Sequence, residues 1–161
     1  MGYYDVAQIC LNGHVITDRI TRNPELGQKF CNNCGEPTIT ECPNCKSQIN
    51  GYYHVEGHFI SSYDMLAPHY CYECGKPYTW TERKLLAAWE LADELDELTD
   101  EDKEKLKSNL EDITRDSPKT DVATTRLKKI LSKLGQESFS VVKSILIEIA
   151  TEAAKKSLFG K

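Results

Sequence analysis

The sequence predicts an α+β chain, with short antiparallel strands around metal-binding cysteines in its first half and helices in its second. Three observations carry this prediction. All seven cysteines lie between Cys10 and Cys74, and none follows. From Trp80 onward, apolar residues recur at the three- and four-residue spacing of a helix. The net charge also changes sign, from −3 over residues 1–80 to +4 over residues 116–161.

The cysteines form four short hooks, each of which holds two candidate metal ligands. The hooks lie at residues 10–14, 31–34, 42–45 and 71–74. Together they supply seven thiolates and one imidazole, which is the ligand complement of two four-coordinate zinc sites. An odd number of cysteines in repeated C-x-x-C spacing argues against a disulfide framework. We therefore expect two structural Zn²⁺ ions in tandem zinc ribbons.

An internal repeat indicates how the hooks pair. Residues 30–37 and 70–77 share the pattern aromatic-Cys-x-x-Cys-Gly-x-Pro, and Asn12 and Asn44 hold equivalent places in hooks one and three. A duplicated two-hook unit favours consecutive pairing. The expected site 1 is Cys10, His14, Cys31 and Cys34, and the expected site 2 is Cys42, Cys45, Cys71 and Cys74. A cross-brace, which joins hook one to three and two to four, is the alternative, and the seven-residue gap between hooks two and three disfavours it.

The strands are expected beside the hooks. Residues 6–10 read as a strand leading into hook one, and Glu56-Gly57 reads as the turn of a β-hairpin between residues 52–55 and 58–60. The insertion over residues 46–70 is rich in aromatic side chains, which form either a binding surface or a cover for a small metal site. His54 and His58 are candidates for a further binding site in that insertion, or for exposed residues without such a role.

Four helices are expected after the hooks, over residues 80–95, 99–112, 121–134 and 138–158. The expected domains are therefore a ribbon domain at 1–79 and a helical module at 80–161. The first helix carries an apolar stripe of Leu85, Ala88, Trp89, Ala92 and Leu95. The last helix is apolar around more than half of its circumference, so it has to be covered by its neighbours or by another chain.

Zinc that is surrounded by four protein ligands has no open position for water, so it is structural by default. We expect a non-enzymatic, zinc-binding interaction or adaptor protein without catalytic residues, which docks on a protein partner or on itself through the C-terminal helices. A nucleic-acid-binding regulator is the second hypothesis, and the acidic ribbon region disfavours it. It would use the basic residues Lys128, Lys129, Lys133, Lys155 and Lys156.

A zinc-dependent hydrolase is the third hypothesis, and it would use His14 or the pair His54 and His58. The sequence has no apolar run long enough to span a membrane. It also has no basic and apolar start that would be typical of a signal peptide. Reduced cysteines in a metal-binding pattern then indicate the cytoplasm.

Residues 10–77 resemble bacterial double zinc-ribbon proteins, in which a C-x-x-C or C-x-x-G-H hook is followed by an aromatic-C-x-x-C-G hook, twice. Residues 70–81 are similar to a narrower, uncharacterised bacterial zinc-ribbon family with a helical C-terminal tail. Its Thr-x-Val-Ala-x-Thr-Arg segment is matched at residues 120–126, and its tail at residues 147–156. Thr79 departs from the proline that is common there, which affects only where the first helix begins. The resemblance implies two zinc ions and a cytoplasmic bacterial protein, and it implies no mechanism.

Overall fold

The computed structural model of the chain describes residues 1–58 and 64–160. It divides into two compact units, Met1–Glu82 and Arg83–Lys161. Each unit has its own cluster of buried apolar residues. Short antiparallel strands and both groups of cysteines lie in the first unit, and helices form the second, so the predicted α+β class is confirmed.

Five short strands form two antiparallel sheets among the described residues. They are β1 (Tyr3–Val6), β2 (Gln8–Cys10), β3 (Val15–Thr17), β4 (Thr38–Ile39) and β5 (Asn50–His54). Strand β1 pairs with β5, and β2 lies between β3 and β4. The single strand predicted over residues 6–10 is divided between the two sheets at Ala7, whose N–H donates to the Ile49 carbonyl at 2.8 Å.

Strand β5 is the first arm of the predicted hairpin. The Glu56-Gly57 turn is present, with a φ of 77° at Gly57 and a β-bridge between Val55 and His58. The rest of the second arm, at Phe59 and Ile60, lies outside the described residues. Within β5, a Cβ at Gly51 would lie 2.0 Å from the carbonyl oxygen of Asp18, so only glycine permits this close backbone approach.

The core of the first unit is small and is shared with the cysteines. Ala7, Ile9 and Ile49 pack with Cys42 and Cys71, and the rings of Tyr78 and Trp80 complete this cluster. The two rings stack at 4.5 Å with an interplanar angle of 16°. The indole N–H of Trp80 donates to the Pro68 carbonyl at 2.8 Å, which satisfies its one polar atom. Side chains at the start of the first helix and just before it therefore form part of the core beside the cysteines.

Five α-helices are present in the described part of the chain. They are α1 (Thr79–Asp93), α2 (Asp100–Leu110), α3 (Pro118–Leu131), α4 (Gln136–Ile149) and α5 (Glu152–Phe159). Thr99 caps α2, since its hydroxyl accepts from the Asp102 N–H. Short 3₁₀-helices occur at Pro24–Leu26 and Asp112–Thr114. None of the described helices combines the length and apolar character that crossing a membrane requires.

The helix predicted over residues 138–158 is wrong as a single element, because it is broken between Ile149 and Glu152. Ala150 adopts an extended conformation, with φ −76° and ψ 147°. Thr151 then caps α5 by accepting from the Ala154 N–H. The Thr151 N–H donates to the Ile113 carbonyl at 2.9 Å, so a contact with a distant residue holds the break.

The helical core is formed by one face of each helix. Leu106, Leu110, Leu127, Leu146 and Ile149 are among its most buried side chains. On α1 the buried stripe contains Ala88 and Ala92, with Leu85 and Leu91 partly buried against it, and Leu95 continues it just after the helix ends. Trp89 was expected in that stripe but is 37% exposed.

Candidate metal centres

Each cysteine hook is a tight turn that is closed by its own backbone. In hook two, the Cys31 N–H donates to the Glu36 carbonyl at 2.8 Å, and the Gly35 N–H donates back to the Cys31 carbonyl at 2.8 Å. Hooks three and four repeat both hydrogen bonds around Cys42 and Cys71, at 2.8–2.9 Å. The turn places both ligands of a hook on one side, which is why short local sequence is enough to form half of a metal site.

The residue after the second ligand leaves the turn with a positive φ. Gly35 and Gly75 have φ values of 75° and 71°. This is the role expected for the glycine of the repeat, since glycine has no Cβ to oppose that conformation. In hook three the equivalent residue is Lys46, at φ 67°, which makes it the one non-glycine residue with a positive φ in the described ranges. Hook three therefore carries backbone strain that hooks two and four avoid.

Hooks one and two bring four ligand atoms together. The sulfurs of Cys10 and Cys34 are 3.7 Å apart. His14 Nδ1 lies 3.4 Å from Cys10 Sγ and 3.6 Å from Cys31 Sγ. In a tetrahedral zinc site, bonds of about 2.3 Å to sulfur and 2.0 Å to nitrogen separate the ligand atoms by about 3.6–3.8 Å. The spacing therefore fits an ion at the centre, bound by His14 through Nδ1.

Hooks three and four form the second group. The sulfurs of Cys42 and Cys74 are 3.8 Å apart, and those of Cys45 and Cys71 are 3.7 Å apart. The two groups of four are consecutive along the chain, with all ligand atoms of a group within 4.8 Å of one another. The cross-brace pairing would need contacts between hooks one and three, and the ligand atoms do not meet in that way.

The ligands differ in exposure according to their place in the hook. The leading cysteines of all four hooks are buried, whereas His14 and Cys34 are exposed and Cys45 and Cys74 are half-buried. Each group therefore has one ligand pair fixed in the interior and one at the surface.

Two thiols of the second group, those of Cys42 and Cys71, have pKa values shifted in opposite directions. Burial raises the pKa of Cys42 to about 11. Burial acts in the same sense on Cys71, but hydrogen bonds outweigh it and lower the pKa of Cys71 to about 6. The largest of these comes from the Ser47 hydroxyl, 3.3 Å from Cys71 Sγ and 3.2 Å from Cys45 Sγ. Ser47 therefore stabilises the thiolate form that a metal requires.

Tyr78 makes a further contact with this group. Burial, together with the neighbouring charge of Cys71, raises the pKa of the Tyr78 phenol, so the hydroxyl stays protonated and is hydrogen-bonded to Cys71. Neither Ser47 nor Tyr78 stood out in the sequence. Both lie just outside a hook, where only the fold brings them to the sulfur.

The repeated asparagines also contact the sulfurs. The pKa of Cys34 is lowered by the backbone N–H of Glu36 and, among smaller contributions, by the side chain of Asn12. Cys74 has the matching arrangement, in which the backbone N–H of Lys76 lowers its pKa and the side chain of Asn44 adds to the effect. The repeat of asparagines is visible in the sequence, and in the structure each of the two side chains interacts with the second cysteine of the hook that completes its group.

The model of a bacterial family described as uncharacterized proteins conserved in bacteria, DUF2321, matches residues 3–158. The chain belongs to the DUF2321 family. No curated protein and no solved structure matches the chain. Membership covers both the cysteine groups and the helices of this DUF2321 protein, and the family description names no activity.

The spare histidines of this DUF2321 protein do not form a third group. His54 Nδ1 lies 2.9 Å from a guanidinium nitrogen of Arg22, and its ring is 5.2 Å from that of Tyr3. His58 lies beyond the turn, with Nδ1 3.4 Å from the Glu56 carbonyl. Among the described residues, the two cysteine groups are the clusters of three or more candidate ligands that could hold a metal.

The aromatic insertion contributes to a cleft of about 320 Å³ in the first unit. Its walls include Tyr4, Met65, Leu66, Tyr70 and Tyr72. Phe59 and Tyr63, which were expected in the same surface, lie outside the described residues.

The five C-terminal lysines singled out in the sequence differ in their surroundings. Lys129 and Lys133 line a second cleft, whereas Lys155 pairs with Glu152 at 2.8 Å.

Proposed function

We propose that both cysteine groups bind Zn²⁺ and that the two ions are structural. The spacing of the ligand atoms near 3.7 Å is the observation that carries this proposal. Soft thiolates in tetrahedral arrangement suit zinc or iron, and the three-cysteine, one-histidine set of the first group is a common structural zinc set. Cysteines that bind a metal in this way stay reduced, without disulfides, in a reducing compartment, so we place the protein in the cytoplasm.

Metal analysis of the purified chain tests the identity of the ions. We expect two zinc ions per chain and no visible absorption from iron–thiolate bonds. One ion fewer in Cys34→Ser and in Cys74→Ser would assign one ion to each group. Iron in either group, or fewer than two ions in the unmodified chain, would overturn the proposal.

The zinc ions are proposed to serve the fold and not catalysis, because each group supplies four protein ligands. His14 is the ligand that distinguishes the two roles, since it is exposed and is the one neutral ligand among seven thiolates, and its departure would open a position for water. In a structural site, His14→Cys keeps the zinc and the fold, since four thiolates also form a closed site. Hydrolysis of generic ester, phosphate or peptide substrates by the unmodified chain, abolished by His14→Cys, would establish a catalytic ion.

The biological task that we propose is protein–protein interaction through the helical unit. On α1, Leu86 is 53% exposed and Trp89 is 37% exposed, and their three-residue spacing places them side by side. On α4, Val141 and Ile147 are also exposed. Tryptophan is enriched among the residues that contribute most to binding at interfaces, and Leu86 beside it extends the exposed apolar patch.

Sedimentation of the zinc-loaded chain, with Leu86→Ser and Trp89→Ser variants, tests this task. We expect the unmodified chain to self-associate, or to retain a defined protein partner from its host, and both substitutions to abolish the association. Lys128→Ser is the control, since Lys128 is exposed on a different helix, α3, and should have no effect. A monodisperse monomer that binds neither apolar dye nor any Trp89-dependent partner would overturn the interaction hypothesis.

A further inference from the structure

A cleft of about 530 Å³ lies in the helical unit, between helices α2 and α3. Helix α2 contributes Asp102, Lys105 and Asn109, and α3 with the residues after it contributes Arg126, Lys129 and Lys133. Four of these side chains are cations and one is a carboxylate. This volume is within the range of small-molecule sites, about 300–1,000 Å³.

The positive charge of the cleft is local. Residues 83–161 hold 15 Lys and Arg against 16 Asp and Glu, so the helical unit as a whole is close to neutral. The one carboxylate of the cleft is already neutralised, because Lys133 Nζ donates to both oxygens of Asp102, at 2.9 and 2.7 Å. No second carboxylate among the wall residues is left to pair with the other three cations.

Two of these cations have no partner in the part of the chain that the structure describes. The side chain of Lys105 pairs with Glu101, whereas the side chains of Arg126 and Lys129 form neither a hydrogen bond nor an ion pair with the described residues. Arg126 also lies close enough to Lys105 for the two positive charges to repel each other. An anion between them would relieve this repulsion and accept hydrogen bonds from both.

We propose that the cleft binds the phosphate groups of a small polyphosphorylated ligand. A guanidinium and several ammonium groups around one concavity are complementary to adjacent phosphates, since arginine can bind two phosphate oxygens at once. The walls contain no aromatic side chain on which a nucleobase could stack. Single-stranded nucleic acid, which is held by such stacking, is therefore the less suitable occupant. None of the walls of the cleft is a candidate metal ligand, so this proposal does not depend on the proposed function.

Calorimetric titration of the full zinc-loaded chain at low salt tests the proposal. The probes are ATP and inorganic tripolyphosphate, both as magnesium complexes so that they do not strip the zinc. We expect both to bind. Arg126→Gln and Lys129→Gln should each weaken binding about tenfold, the effect of losing one hydrogen bond to a charged group. Both side chains are exposed, so these substitutions leave the helical core intact.

Lys128→Gln is the matched control, because it removes the same charge from the same helix outside the cleft. It should leave binding unchanged. Equal affinity for the two probes would show that the phosphate chain is the ligand, and tighter binding of ATP would show that the site takes a nucleotide. If neither probe bound, or if Lys128→Gln weakened binding as much as Arg126→Gln does, the proposal would be overturned. So would Arg126-dependent binding of single-stranded RNA that tripolyphosphate does not displace, since this outcome would indicate a nucleic-acid surface.

Discussion

Lys76 Nζ donates a hydrogen bond of 3.1 Å to Asn44 Oδ1, which joins the third and fourth hooks outside their sulfur ligands. The oxygen of Asn44 is held by this cation, so its amide nitrogen is left to face Cys74. The pKa of Cys74 is lowered by the backbone N–H of Lys76 and further by the Asn44 side chain. Both residues thus act on one sulfur, and the pair would form an outer layer around a metal bound by the second group.

Asn44→Ala should weaken metal binding in the second group, because the thiolate of Cys74 loses a donor. Loss of such an outer contact typically costs about tenfold or more in metal affinity. Competition with a chromophoric chelator should show one of two zinc-release phases becoming about ten times faster. Asn33→Ala is the control, since Asn33 holds the same place in hook two. A similar effect of both substitutions would show that the contact to Cys74 is not responsible.

Lys46→Gly should stabilise the first unit by about 1 kcal/mol, since Lys46 occupies a left-handed conformation that glycine adopts without strain. Gly75→Ala should cost a similar amount at the equivalent place of hook four, where φ is 71°. A Cβ at Gly75 would meet no atom within 4 Å, so the cost comes from the backbone alone. Chemical denaturation followed by near-UV circular dichroism measures both changes. If Lys46→Gly did not stabilise the unit and Gly75→Ala did not destabilise it, the left-handed φ would not be the source of the strain.

The hooks could be predicted because they are local. Two cysteines and a glycine within five residues determine one turn, and the repeat of residues 30–37 at 70–77 indicates which turns belong together. Lys46 shows the limit of that reasoning, since a lysine carries no signal for a positive φ. Its conformation follows from closing the same hydrogen bonds as in the other hooks, from the Lys46 N–H to the Cys42 carbonyl at 2.9 Å.

The ends and buried faces of the helices were predicted less well where contacts between residues distant in the sequence determine them. The apolar pattern of residues 138–158 continues through Thr151, yet the chain breaks there because its N–H is bonded to the Ile113 carbonyl. Similarly, Trp89 and Leu91 both fit an apolar stripe of α1, and the position of the neighbouring helices determines that Leu91 packs inward. Strand β1 was missed for the same reason, since Tyr3 and Tyr4 become a strand only by pairing with β5.

Removal of the metal should unfold the first unit and leave most of the helical signal. The buried cluster of the first unit includes Cys42 and Cys71 themselves, so it depends on the metal site for its packing. The core of the second unit contains residues of that unit alone and no cysteine. A strong chelator should therefore abolish the near-UV signal of the buried Tyr78 and Trp80 while far-UV circular dichroism keeps its helical minimum. Complete loss of helix on chelation would contradict the independence of the two cores.

Asp102→Asn should destabilise the helical unit at neutral pH and have little effect in acid. Lys133 holds the pKa of Asp102 below its ordinary value by donating to both carboxylate oxygens. A lowered folded-state pKa stabilises the fold fully above the unfolded-state pKa of about 3.9, and this contribution disappears as the pH falls through the folded-state value. The thermal midpoint of the helical signal should therefore differ between the two chains at pH 7, and the difference should shrink below about pH 4.

Glu101→Gln separates this effect from that of an ordinary surface pair. Glu101 pairs with Lys105 on the exposed side of α2, where solvent screens the charges, so its replacement should change the midpoint little at neutral pH. Asp102 differs because its side chain is largely buried and both of its oxygens are bonded to Lys133. A midpoint difference for Asp102→Asn that stays constant from pH 7 to pH 3 would show that the amide disturbs packing, and that the ionised carboxylate is not the stabilising group.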